Sequence, residues 1–319
     1  MNILNLRENI RPNKLTKGDG KTFTKENIKI GISPIGWTND DMPELGGDIS
    51  FEQCISDMAR SRYDGCEVGS KYPKEPDAIL EALDSCQLIV ASQWFSAYFT
   101  TKELNHVLDD FTSHVCFLEK LGAKVVVLSE QGHSIQGKMD APLFENKPKM
   151  NQGEWESLCE GLESAGEIAL KHGMKLVYHH HMGTVVQTKQ EIDHLMENTN
   201  PRKVWLLLDT GHLFFSGESP LDVIKDHGSR IAHVHLKDIR SSILEKVKQE
   251  RLSFLQSVKA GVFTVPGDGI IEFGPILRAL EEIGYQGWFI VEAEQDPKIA
   301  NPLEYASKAR EYIKSLIGF

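Results

Sequence analysis

A (β/α)₈ TIM barrel is the fold this sequence predicts, and three observations predict it. Eight short apolar runs lie between residues 28 and 294, amphipathic helical stretches separate them, and nearly every run ends in a charged, imidazole or indole side chain. Eight βα units in one chain suit a closed parallel barrel, whose strands are buried on both faces and whose reactive groups gather at the C-terminal strand ends. A length of 319 residues fits one such domain with insertions, since about 250 residues is typical.

Residues 1–27 stand apart. They are polar, carry Arg7, Arg11, Lys14, Lys17, Lys21 and Lys25, and lack periodicity. They are expected to form an N-terminal extension, either packed on the barrel or disordered, with residues 28–319 as the barrel domain. The strands expected in the first half are 28–34 (IKIGISP), 65–70 (GCEVGS), 88–96 (LIVASQWFS) and 124–130 (KVVVLSE). In the second half they are 175–181 (KLVYHHH), 204–210 (VWLLLDT), 231–238 (IAHVHLKD) and 287–294 (GWFIVEAE). GISPIGW after the first strand is not a glycine-rich phosphate loop, which disfavours an open dinucleotide-binding sheet.

The helices carry recognisable ends. Ser50 with Gln53, Thr100 with Glu103 and Thr188 with Glu191 have capping-box spacing. Ser219-Pro220 and Asn301-Pro302 place a cap before a proline at the first helical position. Gly122, Gly173 and Gly284 follow helical runs, where a left-handed cap wants glycine. The third helix aligns Leu104, Val107, Leu108, Phe111, Val115 and Leu118 on one stripe; the last aligns Leu303, Ala306, Ala309, Ile313 and Leu316. Two connections are long, 131–150 and 239–272, and long βα loops tend to cover active sites. Within the second, ILEKVKQERLSFLQSVK reads as one added amphipathic helix.

Composition excludes several functions. The formal net charge of -11 disfavours a nucleic-acid surface, which needs a basic face. No run of about 20 apolar residues exists to span a membrane, and no secretory signal is visible, so a cytoplasmic protein is expected. The five cysteines form no CxxC pair and read as reduced thiols, with Cys54, Cys116 and Cys159 inside helical patterns.

The strand ends in order are Trp37, Glu67, Trp94, Glu130, His179 with His181, Asp209, His235 and Glu292. Residues i and i+2 of a strand share a face. His179 and His181 therefore point together while His180 faces the helix layer, and Leu207–Asp209, His233–His235 and Ile290–Glu292 pair likewise. If each strand aims its last inward residue at the axis, His179, Asp209, His235 and Glu292 converge. Two imidazoles and two carboxylates suit a divalent ion such as Mn²⁺, Co²⁺, Fe²⁺, Zn²⁺ or Mg²⁺. The bland alternatives are a hydrogen-bonded structural histidine at each strand end and an Asp209 that merely caps the following turn. Four such residues on four successive strands favour the metal. His212 and Lys237 stand close enough in sequence to Asp209 and His235 to contact a substrate.

From Ile28 onward the chain resembles the xylose isomerase-like TIM barrels, through LLLDTGH (206–212), HVHLKD (233–238), GDGIIEF (267–273) and FIVEAE (289–294). Within that superfamily, GISPIGWTNDDMPELGG (31–47), EVGSKYP (67–73) and YHHHMGT (178–184) are similar to the inosose dehydratases of inositol catabolism. The resemblance implies a hydro-lyase that converts scyllo-inosose to a trihydroxycyclohexane-1,2-dione, with Mn²⁺ or Co²⁺ and glutathione as cofactors. It places Asp209, His235 and Glu292 on metal ligands and His212 on a substrate contact. It also implies a glutamate ending the fifth strand of the isomerases, where this chain has His179. Only Glu292 of their acid–base pair is kept, which favours a lyase, with Glu130 the carboxylate left to fill the gap. The expected catalytic set is His181, His212, Lys237 and Glu292, with Trp37, Glu67, Trp94 and Glu130 around a small polyol ketone. A divalent-metal ketose isomerase or epimerase and a non-catalytic sugar-binding barrel are the alternatives, and a homo-oligomer is left open.

Overall fold

The computed structural model describes residues 22–319. Most of the extension expected at 1–27 therefore lies outside the described residues. The first half of the chain runs β1 (Ile28–Ile32), α1 (Phe51–Arg60), β2 (Gly65–Glu67), α2 (Pro76–Ser85), β3 (Ile89–Ser92), β4 (Trp94–Ala97), α3 (Leu104–Lys120), β5 (Val125–Glu130) and α4 (Gln152–Lys171). It continues through β6 (Lys175–His179), α5 (Lys189–Glu197), β7 (Val204–Asp209), α6 (Thr210–Ser216), α7 (Pro220–His227) and β8 (Ile231–Leu236). Then come β9 (Asp238–Ile239), α8 (Ser241–Glu250), α9 (Phe254–Lys259), β10 (Phe263–Thr264), α10 (Phe273–Glu282), β11 (Gly287–Val291) and α11 (Pro302–Ile317).

The main sheet has the order β3-β2-β1-β11-β8-β7-β6-β5-β4, with every pairing parallel. Its two ends are one strand. β3 and β4 are interrupted only at Gln93, whose carbonyl still accepts from Val127 N at 3.3 Å. β3 pairs with β2 and β4 with β5, so the ring closes and eight barrel positions result. β9 and β10 form a separate antiparallel pair beyond the rim.

Alternation along the strands divides the apolar residues into two compartments. The larger lies between strands and helices, where Ile30, Leu128, Leu176 and Leu208 meet buried residues such as Phe111, Leu162 and Ala309. The smaller fills the lumen, with Val125, Val127, Val177, Leu207 and Ala232 in one group and Ala91, Trp288 and Ile290 in another. Gly31 and Gly65 are required there. A Cβ on Gly31 would lie 2.6 Å from Ile290 Cδ1, and one on Gly65 would lie 2.1 Å from the Ile89 carbonyl oxygen.

Ser50, Ser219 and Asn301 cap their helices through their side chains, and Thr188–Glu191 forms a reciprocal capping box. Gly122, Gly173 and Gly284 have positive φ, as helix-ending glycines should. Two expectations need correction. α3 starts at Leu104 with Glu103 as an N-cap that makes no side-chain bond, because the Thr100 hydroxyl donates instead to Glu130 at 2.8 Å. The added helix of the second long connection is two helices. Arg251 takes a left-handed φ of 54° that ends α8, and Ser253 with Gln256 opens α9 in a capping box of its own. All five cysteines are free thiols. Among the described residues no helix is long and apolar enough to cross a membrane.

Candidate active site and metal centre

The C-terminal half of the lumen is polar. His179 ends β6, Asp209 ends β7, His235 sits one residue before the end of β8, and Glu292 follows β11. One nitrogen or carboxylate oxygen from each of the four lies within 4.8 Å of the others, and all four residues are buried. The two oxygens of Asp209 have different neighbours. Its Oδ1 accepts from His212 N at 2.8 Å and caps α6, while Oδ2 faces His179 Nε2 at 3.3 Å and His235 Nδ1 at 3.6 Å. His180 points away from the cluster and accepts the Asp209 amide at 3.2 Å. The Nδ1 of His235 and the Oε2 of Glu292 are pressed into close contact within this group. Four donor atoms converging in one buried space fit a shared cation. The mixed nitrogen and oxygen set suits a borderline divalent ion.

A second group lies beside the first. His181 and His212 are in contact, their rings tilted by 43° with centroids 3.7 Å apart, and with Glu294 they offer another set of donor atoms within 4.8 Å. Lys237 is fully buried between the two groups. Its Nζ lies 3.0 Å from His212 Nε2, 2.9 Å from Glu294, 3.2 Å from Glu292 and 3.7 Å from Asp209. The stem of Lys237 crosses Gly211, where a Cβ would come within 2.5 Å of Cγ, so the glycine of DTGH lets the lysine through. The Thr210 hydroxyl clasps the same residue, donating to its carbonyl at 2.7 Å.

The electrostatics follow from burial and these neighbours. Burial opposes the Lys237 charge, but Asp209, Glu292 and Glu294 outweigh it and raise the ammonium above its ordinary value. Burial also opposes ionisation of Glu292, yet the facing His235 and Lys237 pull it down to about 2. At Glu294 burial wins and pushes the carboxyl up to about 7. Burial depresses His181 and His212 well below the usual histidine range, which keeps both rings neutral.

The second long connection packs on this site and the first is joined to it. Phe254 of α9 packs on His181, centroids 5.1 Å apart, and Phe263 of β10 lies 4.7 Å from Lys237 Nζ and 5.2 Å from the His212 ring. Leu143 N donates to the Leu252 carbonyl at 3.0 Å, and Glu145 pairs with Arg251, so loop 131–151 and the α8–α9 insertion are joined over the mouth. Trp94 stands edge-on to His179 and His181, at 5.2 and 5.9 Å, with its indole N–H on Ser96 Oγ at 2.8 Å.

Three residues expected around the substrate are engaged with other parts of the chain. Trp37 follows a short 3₁₀ turn (Pro34–Gly36) that carries it past the strand end, and its indole N–H donates to Asp57 on α1 at 3.2 Å. Glu130 is buried under the loop that follows β4, where it accepts from Phe99 N, Thr100 Oγ1 and Gly132 N at 2.8, 2.8 and 2.9 Å. Fully engaged there, it does not fill the place of a second metal-site glutamate. Glu67 reaches across the lumen to His233 and His235 rather than into open space, at 3.3 and 3.1 Å. Glu294, which strand-end reasoning missed, lies beyond the end of β11 and shares the Lys237 ammonium with Glu292.

A family model described as a xylose isomerase-like TIM barrel matches residues 89–316. The inosose dehydratase of Geobacillus thermodenitrificans is 57% identical over 296 residues, which cover 93% of this chain and 99% of that protein. That of Clostridium beijerinckii is 56% identical, covering 92% and 99%. The chain belongs to the inosose dehydratase family. The family's fold extends to distant solved structures. The IolI protein, solved with a zinc atom, has a TM-score of 0.69 at 18% identity and covers 91% of this chain and 98% of its own. A probable 3-DHS dehydratase from Bacillus anthracis has a TM-score of 0.67 at 14% identity, covering 90% and 98%. At these identities the likeness is one of fold. The inosose dehydratase relatives carry the activity.

Proposed function

We propose that this chain is a hydro-lyase acting on scyllo-inosose, with one divalent cation held by His179, Asp209, His235 and Glu292. The observation that carries the proposal is the convergence of those four buried donors from the ends of four separate strands. Mn²⁺ or Co²⁺ suits two imidazoles with two carboxylates. Bound there, the ion supplies Lewis acidity at a ketone oxygen and the hydroxyl beside it.

The chain's own groups supply the proton transfers. His181 Nδ1 lies 2.8 Å from the Met182 carbonyl, so Nδ1 carries the proton and Nε2 of the neutral ring keeps its lone pair. That nitrogen is the base for the α-proton, with the His212 ring in contact beside it. The ammonium of Lys237 faces the same space and stabilises negative charge developing on the substrate oxygens. Glu294, in contact with Lys237, is placed to hand a proton to the departing β-hydroxyl. Glu292 ligates the ion and anchors Lys237. Trp94, Phe254 and Phe263 form an aromatic wall for the ring carbons and keep water out. Lys237, the lysine of this group, is already shared by three carboxylates, so an uncharged polyol ketone fits better than a phosphorylated sugar.

The reading places the protein in inositol catabolism and in the cytoplasm, with residues 28–319 as the catalytic domain. Glutathione enters only through the resemblance and is therefore included in the assay. The test is incubation of the reconstituted protein with scyllo-inosose, with mass analysis of the product. Loss of one water is expected; an isomer of unchanged mass would point to an isomerase, and an unchanged ketone across Mn²⁺, Co²⁺ and Mg²⁺ would overturn the proposal.

A further inference from the structure

Glu67 is buried, charged and far from the strands that carry the four donors. It ends β2, on the opposite side of β1 and β11 from β8, yet its side chain crosses the lumen to the β8 histidines. One oxygen, Oε1, receives three contacts: Ser92 Oγ of β3 at 2.6 Å, His235 Nε2 at 3.1 Å and His233 Nε2 at 3.3 Å. The carboxylate is thereby held from two other strands, β3 and β8.

A neutral imidazole has one N–H and one lone pair, and a metal takes the lone pair. A carboxylate only accepts, so Glu67 keeps a proton on Nε2 of His235 and leaves Nδ1 as the nitrogen whose lone pair an ion would take in place of a proton. That nitrogen lies 3.6 Å from Asp209 Oδ2 and touches Glu292 Oε2, the two carboxylates that would share the ion with it. His179 has no comparable anchor: its Nε2 faces Asp209 and its Nδ1 is unpartnered. The two histidines of the cluster are therefore unequal.

We infer that Glu67 is a positioning residue for the metal centre, setting the tautomer and ring angle of His235 so that Nδ1 is presented to the ion. The inference rests on the metal reading above. A merely structural Glu67 would contribute to folding and leave metal binding untouched. Burying such a carboxylate for stability is also unrewarding, because its desolvation offsets the attraction of its partners.

The test is a titration of the metal-free protein with Mn²⁺ by calorimetry and with Co²⁺ by visible absorption. Glu67→Gln is expected to weaken binding about 10-fold and Glu67→Ala about 100-fold, the range that outer partners of metal-bound histidines command. The Co²⁺ ligand-field bands should shift in both. Glu130→Gln is the control, another buried strand-end glutamate, and should bind as the wild type does. The Gln variant preserves the volume of the side chain and carries the test if the Ala variant fails to fold. Wild-type affinity and an unchanged Co²⁺ spectrum in Glu67→Gln would overturn the inference while leaving the metal site standing. Absence of binding by the wild type would instead sink the metal reading, and this inference with it.

Discussion

In the lower lumen Val125, Val127, Val177, Leu207 and Ala232 meet across the barrel axis. Two residues further along β6 and β7, on the same faces, stand His179 and Asp209, with His235 beside them on β8. The same strands thus build a dry apolar plug below and a charged cluster above. The plug repays its burial through the hydrophobic effect, about 25 cal/mol per Å² of apolar surface removed from water. The cluster does not: each buried ion loses several kcal/mol of hydration, and its partners return that only if the geometry is good. The contrast says what each half is for. The lower half holds the barrel closed, and the upper half is kept for what it binds.

Variants in the two halves should therefore fail in different ways. Asp209→Ala removes a donor from the centre of the cluster and is expected to cost about 10³-fold or more in kcat/KM, the equivalent of several kcal/mol of Lewis-acid stabilisation. Its secondary structure, followed by circular dichroism, should persist. Retained turnover in this variant would break the distinction. Leu207→Ala, two residues earlier on the same face, should do the reverse. It is expected to lose about 3 kcal/mol in a denaturant titration, as buried leucine truncations do, while Mn²⁺ affinity stays within about 2-fold. A large loss of affinity would show that plug and cluster are one unit.

Glu130→Gln sharpens the comparison from a third place. Three donors converge on this carboxylate, and the amide satisfies fewer of them, so a loss of about 1–3 kcal/mol is expected in the same titration. An effect confined to acid pH belongs to the helix layer. Burial holds the His114 imidazole down at about 4. The folded state therefore resists a proton that the unfolded chain accepts below about pH 6.5. Stability is fully present above that pH and falls by at most about 1.4 kcal/mol per unit between pH 6.5 and 4. Thermal melts of His114→Gln across this window should slope less than those of the wild type; parallel slopes would remove His114 as the source.

Much of this was legible in the sequence because strands have a period of two. The alternation that paired Leu207 with Asp209 and His233 with His235 also predicts the convergence of four donors at the rim. The same rule applied one step further along FIVEAE points to Glu294, which shares the Lys237 ammonium with Glu292. What escaped the reading belongs to loops and long-range contacts. Trp37 follows a strand, but the turn at Pro34–Gly36 sends its ring to Asp57 in the helix layer. Glu130 ends a strand as Glu292 does, but amides of the preceding βα loop claim it first. Thr100 has capping-box spacing and spends its hydroxyl on that same carboxylate. Nor does amphipathic periodicity reveal that Arg251 breaks the insertion in two, because the apolar pattern runs through the break. Each of these depends on a partner about 20 or more residues away, or on a single backbone torsion, which local pattern does not carry.

The central claim is that side chains from β6, β7, β8 and the end of β11 share one ion. Crystals grown with Mn²⁺, with diffraction collected for anomalous scattering from manganese, test it most directly. The account predicts one strong peak at ligand distance from His179, Asp209, His235 Nδ1 and Glu292, lost in Asp209→Ala crystals grown the same way. A peak elsewhere in the barrel, or none at this position despite catalytic turnover with Mn²⁺, would contradict it.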